Sequence, residues 1–409
     1  MKRNAHFLAA AAALAWSAQG ALAQNIFIGV LDDVTGATSQ VGRELADAKA
    51  DTIRWINANG GVNGKKIEYE AVDYAYKAPA AIASYKKWMS QPVKPIAIYG
   101  YGTADTEALS GFVNADKVVY LSHSFSALLS DPTGASKRVE KPTPYNFYHG
   151  ATYSDGCRAG VKHFMDQWKR EGKVGKPKFA FMGDNHPFAN SPKEACIAYA
   201  TELGYEVIAP IQYSMRPGDF KAQCLTLKES GAEVAYMGNT GDSNVSLMKS
   251  CSTVGVTAKF YSNAWGYSEQ VMDAVGPAGA GAIAPFAATP WNMSDGPGAK
   301  TVSEISGGKP RTAYYAAAVC SLMYLREALA WADTNGGIKP ENVTRGMYQR
   351  KDWVPKGMEG VCAPATWTET DHRSISTVSL WEGLIKDGKA TWKKAGDVQL
   401  GRDAKWFAR

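Results

Sequence analysis

From Asn25 onward the chain repeats one pattern: a short apolar run, a longer segment with apolar residues at helical spacing, then another short apolar run. Such alternation predicts parallel strands covered by helices. A strand buried on both faces reads as continuous apolar sequence, whereas its crossover helix shows a single apolar stripe. Ile26-Phe27-Ile28-Gly29-Val30-Leu31 is the first such run. A helix is expected over 42–58, with Val41, Leu45, Ala48, Thr52, Ile53 and Ile56 near helical spacing and Asn59-Gly60-Gly61 to stop it. Further strands are expected at 67–72, 95–99 and 118–122, with helices at 79–90 and 106–114. A second series opens near Tyr145, with strands at 178–182, 206–210, 233–237 and 259–262 and helices starting near Asp155, Ser191, Asp219 and Asp242. The expected fold class is therefore α/β, with two doubly wound, Rossmann-like lobes. Beyond Ala278 the pattern gives a short strand at 281–284, a loop rich in Pro, Gly and Asn, a helix over 312–334, and a closing strand pair at 376–384 and 390–394.

The N-terminus carries a different signal. Lys2 and Arg3 precede an apolar run from Phe7 to Trp16, and Ala21-Leu22-Ala23 ends before Gln24. These are the three parts of a secretory leader, residues 1–23, cleaved after Ala23. Ser17, Gln19 and Gly20 interrupt the run before it reaches the roughly 20 residues of a spanning helix. No cysteine stands at the cleavage site, so a soluble periplasmic protein is expected rather than a lipid-anchored one. Of the 409 residues 45% are apolar, and the formal charge of +6 is spread without a Lys/Arg stripe, which argues against nucleic acid as a partner. In an oxidising compartment an even number of cysteines favours disulfides. Cys157, Cys196, Cys224, Cys251, Cys320 and Cys362 form no CxxC pair, and pairing of neighbours in sequence is the expectation among the many connectivities open.

Ligands of open α/β sheets sit beyond the carboxyl ends of the strands. The residues there are mostly hydroxyls, amides and aromatics. Ser39 and Gln40 follow the first strand; Tyr101, Gly102 and Thr103 follow the third; Ser122, His123 and Ser124 follow the fourth. The second lobe contributes Tyr153, Asp184, Phe188, Asn239, Thr240, Asn263 and Trp265. Such a set can hydrogen-bond a small carboxylate or amide while aromatic faces cover its apolar part. No GxSxG elbow, HExxH or P-loop occurs, so no catalytic residue, metal or cofactor is expected. Gly279-Ala280-Gly281-Ala282-Ile283-Ala284 imitates a dinucleotide fingerprint but lacks the strand before it and the helix after it. A secreted hydrolase using Ser122, His123 or Ser124 with Asp184 stands as a rival from another class.

The segment Trp55-Ile56-Asn57-Ala58-Asn59-Gly60-Gly61-Val62-Asn63-Gly64-Lys65-Lys66-Ile67, after Thr35-Gly36, resembles the periplasmic leucine/isoleucine/valine-binding proteins. Gly218-Asp219-Phe220, Thr312-Ala313-Tyr314 and Pro364-Ala365-Thr366-Trp367 extend the resemblance over nearly the whole mature chain. It implies the type I periplasmic-binding fold, with three crossovers near Tyr145, Gly281 and Gly360, a first lobe of 24–145 and 282–359 and a second of 146–281 and 360–409. It implies that Tyr101 to Thr103 form a carboxylate-binding turn, completed by Ser122 to Phe125, with Phe188 as the lid aromatic. The function implied is capture of an amino acid, amide or related carboxylate by a monomer that delivers it to the permease subunits of an ABC importer. A sensory subunit of the same fold is the alternative. Three departures stand out. No acid occurs in Tyr261-Ser262-Asn263-Ala264-Trp265-Gly266, where the family holds an α-amino group; Val41 replaces a common aromatic; and the first-lobe cysteine pair gives way to the region of Tyr74-Ala75-Tyr76 and to Tyr101. Only Asp184 or Asp242 is then left to meet an ammonium.

Overall fold

The computed structural model describes residues 25–409, so the leader expected at 1–23 lies outside the described residues. The first sheet consists of β1 (Ile26–Asp32), β2 (Ile67–Asp73), β3 (Ala97–Tyr99), β4 (Val119–Ser122) and β5 (Asn146–Tyr148), in the order β2-β1-β3-β4-β5 and parallel throughout. Helices α1 (Ser39–Ala58), α2 (Ala78–Met89) and α3 (Thr103–Ala115) make the crossovers. Trp88 of α2 lies so close to β1 that a Cβ at Gly29 would stand 2.7 Å from its ring. Gly29 interrupts an apolar strand because helix and sheet touch there.

The chain then enters the second sheet through α4 (Tyr153–Arg170) and runs through β6 (Lys178–Gly183), α5 (Pro187–Asn190), α6 (Lys193–Leu203), β7 (Glu206–Val207), β8 (Ile211–Gln212), α7 (Lys221–Ser230) and β9 (Val234–Met237). It continues with α8 (Gly241–Thr253), β10 (Lys259–Ser262), α9 (Glu269–Val275) and β11 (Ile283–Phe286). Next come three helices, α10 (Pro297–Ser306), α11 (Ala313–Thr334) and α12 (Pro340–Met347), of which α10 and α11 pack on α1. The hairpin of β12 (Thr377–Lys386) and β13 (Lys389–Gln399) completes the second sheet, ordered β13-β12-β11-β10-β9-β6-β7 with β8 also on β6. Both pairings of β12 are antiparallel.

The strand and helix order expected from the sequence is present, with several instructive differences. One strand was expected over 206–210; Pro210, which has no N–H to give the ladder, separates β7 from β8. The Pro/Gly-rich stretch read as a loop contains α10, whose Pro297 occupies the first helical position, where its missing N–H costs nothing. The strand expected at 281–284 is β11, two residues later. Because β5 belongs to the first sheet and β11 to the second, the crossovers expected near Tyr145 and Gly281 fall beyond Tyr148 and Phe286.

The cysteines pair as neighbours in sequence: Cys157 with Cys196, Cys224 with Cys251, and Cys320 with Cys362. The first ties α4 to α6, the second α7 to α8, and the third ties the middle of α11 to a segment bridged to Ala288.

Candidate functional site

The loops at the carboxyl ends of the strands of both sheets converge on one small cavity of about 20 Å³. From the first sheet's side Thr38, Val41, Leu45, Tyr76, Tyr101, Gly102 and His123 reach it. Tyr153, Phe188, Thr240 and Trp265 close it from the other. Aromatic edges and faces knit the sides together. Trp265 stands 5.4 Å from His123 and 5.2 Å from Phe125, ring centre to ring centre, while Phe188 meets Tyr153 edge-on at 5.3 Å. Tyr76 faces His186 of the second sheet's loops at 5.5 Å.

Local chemistry explains how the chain holds these positions. Asp33 ends the turn after β1 by accepting from Gly36 N (2.6 Å), Thr38 N (2.9 Å) and Thr38 Oγ1 (2.6 Å), which sets the start of α1. Thr38 in turn accepts from the Tyr101 hydroxyl at 2.9 Å. Asp105, fully buried in the first turn of α3, accepts from the backbone N–H groups of Tyr101 (2.9 Å) and Gly102 (2.7 Å), from Tyr74 Oη at 2.5 Å, and from Tyr120 Oη. Burial raises its pKa, and these donors oppose the rise. Behind them Lys49 places its ammonium on Asp32 Oδ1 (2.7 Å) and on the carbonyls of Leu31 and Gly100 (2.9 and 3.1 Å), so all three of its hydrogens are used.

Of the residues expected at the site, Tyr101, Gly102, His123, Tyr153, Phe188, Thr240 and Trp265 line the cavity. Thr103 and Ser124 bond to each other at 2.9 Å behind it, and Ser122 bonds to Thr106 at 2.6 Å and accepts from Ser124 N at 2.7 Å. Asp184 accepts from Met215 N at 2.8 Å; Asn239 accepts from Asp184 N and donates to the carbonyls of Tyr213 and Ser214; Asn263 donates to the carbonyls of Met237 and Asn239. These three hold the second sheet's loops and do not line the cavity. Ser39 opens α1, and Gln40 reaches Gln270 across the cleft at 3.3 Å. Asp242 is exposed and feels the charge of Arg43. Neither acid named as a substitute for the missing counter-charge lines the cavity.

The hydrolase constellation is not assembled. His123 Nε2 lies 2.9 Å from Tyr99 Oη, and among the described residues neither Ser122 nor Ser124 bonds to its ring. Burial, with Lys49 and His149 nearby, holds the His123 pKa well below the ordinary imidazole range. No group of three His, Cys, Asp or Glu among the described residues is placed to hold a metal.

Tyr76 was not among the expected site residues. It enters through a turn in which Ala75 and Tyr76 both adopt left-handed backbone, φ 51° and 57°. No glycine marks the turn, so no sequence signal pointed to it; the only cue was that aromatic residues stand where the family places a cysteine. The Tyr76 ring lies against α3, where a Cβ at Gly102 would be 2.7 Å from it. A left-handed conformation costs an L-residue about 1–2 kcal/mol, part of which glycine returns through a more flexible unfolded chain. Ala75→Gly is accordingly expected to stabilise the protein by about 0.5 kcal/mol, read from the denaturant midpoint; destabilisation would show that the turn is not strained.

A family model described as "Periplasmic binding protein" matches residues 25–389. A curated relative, "Leu/Ile/Val-binding protein homolog 4" of Brucella abortus, is 26% identical over 283 residues, covering 67% of this chain and 64% of the relative. The chain thus spans less than two thirds of that relative's length. An "Amino acid binding protein" of Pseudomonas aeruginosa is 24% identical over 344 residues, 81% of this chain and 87% of the relative. Among solved structures, a branched chain amino acid ABC transporter from Thermus thermophilus with bound valine superposes with a TM-score of 0.79 at 17% identity, covering 93% of this chain and 97% of that one. A fatty acid ABC transporter substrate-binding protein from Thermomonospora curvata gives 0.78 at 19% identity, with 92% of each chain covered.

Proposed function

Because the chain belongs to the periplasmic binding protein family, we propose that it is the substrate-binding component of an ABC importer and holds one small molecule between its two lobes. The observation that carries this reading is the cavity itself. It is lined by side chains from the loops of both sheets, at the strand ends where open α/β folds bind ligands. Such a cavity opens only if the two sides separate, and a ligand that touches both sides favours the closed arrangement by its differential affinity for it. The hinge in this reading is the set of three crossovers, two beyond Tyr148 and Phe286 and the third near Gly360. The closed form is what the permease subunits recognise.

The proposed binding set is Tyr101, Gly102, His123, Tyr153, Phe188, Thr240 and Trp265, joined by Thr38, Val41, Leu45 and Tyr76. A small amino acid, amide or carboxylate is the ligand class drawn from the family likeness, and the family, with the leader expected at 1–23, supports a periplasmic location.

The test is the unfolding midpoint of the mature protein, refolded from denaturant to strip carried-over ligand. It is measured against branched-chain and polar amino acids, amides, urea and aromatic carboxylates. A compound present at a hundred times its Kd adds about 2.7 kcal/mol, a readily seen rise. A panel without a single shift would remove the support for the cleft as a small-molecule site.

A further inference from the structure

Two of the residues lining the cavity, His123 and Trp265, each carry a buried polar atom without a partner. Tyr99 donates its single hydroxyl hydrogen to the carbonyl of Ala318 at 2.8 Å, so its 2.9 Å contact with His123 Nε2 has the imidazole N–H as donor. His123 Nδ1 is therefore a bare lone pair, and it is buried with no partner. On the other side the Trp265 indole N–H, a donor only, is also buried without a partner in full bonding geometry, though it points weakly at the Tyr153 hydroxyl. Buried polar atoms are rarely left unpaired. One acceptor and one donor on neighbouring rings, edge-to-face with centres 5.4 Å apart, are what a hydroxyl or a primary amide satisfies.

Charged groups, by contrast, find nothing to pair with. The turn expected to receive a ligand carboxylate gives the N–H groups of Tyr101 and Gly102 to Asp105, and the Tyr76 ring covers the same turn. A ligand carboxylate there would also sit near the buried Asp105. An ammonium fares no better: Asp32 and Asp33 are spent on Lys49 and Thr38, and Asp184 on Met215. Val41, Leu45 and Phe188 supply only apolar surface. Burying a charge without a partner costs several kcal/mol.

Resting on the reading of this cleft as the ligand site, we infer that it selects a small neutral molecule, an alcohol or primary amide on a compact apolar body. The molecule donates to His123 Nδ1 and accepts from Trp265 Nε1. Zwitterionic amino acids and free carboxylates are rejected.

Matched probes test this by calorimetry on the refolded mature protein: isobutyramide, benzamide and benzyl alcohol against isobutyrate, benzoate, valine and phenylalanine. At least one neutral probe should bind more than about a hundredfold tighter than its charged counterpart, and Trp265→Phe, which keeps an aromatic ring but removes the N–H, should weaken that probe about tenfold, equivalent to about 1.4 kcal/mol. If a carboxylate or amino acid binds and its neutral counterpart does not, or if Trp265→Phe leaves the neutral probe's affinity unchanged, the inference fails while the binding-protein reading stands. If no probe binds, neutral or charged, both fall.

Discussion

Lys49→Met should lower the stability of the protein by about 3–5 kcal/mol, the cost of leaving a buried charge without its partner. Lys49 is 1% exposed and Asp32 5% exposed, with 2.7 Å between ammonium and carboxylate. Methionine fills nearly the same volume, so the loss is electrostatic rather than a matter of packing. It strands Asp32 and also the carbonyls of Leu31 and Gly100, which take the other two lysine hydrogens. The ammonium further lies over the Tyr99 ring, 4.6 Å from its centre, and Tyr99 in turn fixes the tautomer of His123. The check is the denaturant midpoint at neutral pH. Adding Asp32→Asn to Lys49→Met removes the stranded charge and should restore a large part of the loss. A single variant that costs less than about 1 kcal/mol would show that water reaches Asp32.

The second large effect is expected at Cys320–Cys362, which closes a loop spanning 42 residues of sequence. Chain-entropy arithmetic for a loop of that length gives about 4 kcal/mol, within the observed range of about 2–5 kcal/mol for native disulfides. The double substitution to alanine should show that loss, whereas either single substitution should add the liability of a free thiol. The location sharpens the expectation. Cys362 is bridged to Ala288, and Ala363 N donates to Ala287 O at 2.9 Å, so this disulfide anchors α11 where two of the segments proposed as the hinge run side by side. Ligand affinity should therefore fall together with stability. A variant with wild-type midpoint would place the constraint elsewhere in the fold.

The strand and helix order was legible in the sequence because each apolar run is short, strongly periodic and bounded by glycine, proline or a polar cap. Elements that escaped did so for stated reasons. β5, Asn-Phe-Tyr, lacks the aliphatic run that marked the equally short β3, α9 and α12 span only two turns, and the start of α10 is hidden among Pro and Gly. At the site, position after a strand end was a good guide to which loops meet but a poor guide to what each polar side chain does. Asp32 ends a strand and Asp33, Asp184, Asn239 and Asn263 stand beyond strands, and each spends polar atoms on protein partners: Asp33 within its own turn, Asp32 on Lys49, and the other three on neighbouring loops. Nothing local distinguishes an Asn that ties two carbonyls from one that faces a ligand. Lys49 shows the same limit from the other side: a helical wheel places it inside the apolar stripe, between Leu45 and Ile53, but only the fold reveals the carboxylate and carbonyls that receive it.

The order of the disulfides has a consequence for how the protein is made. The six cysteines pair first with second, third with fourth and fifth with sixth, and no loop encloses or overlaps another: 157 with 196, 224 with 251, 320 with 362. A chain that emerges N-terminus first into an oxidising compartment therefore presents its cysteines in native pairs. An oxidant that simply joins each new thiol to the preceding free one produces the native set, so correct biogenesis calls for oxidation alone and makes no demand on thiol–disulfide shuffling.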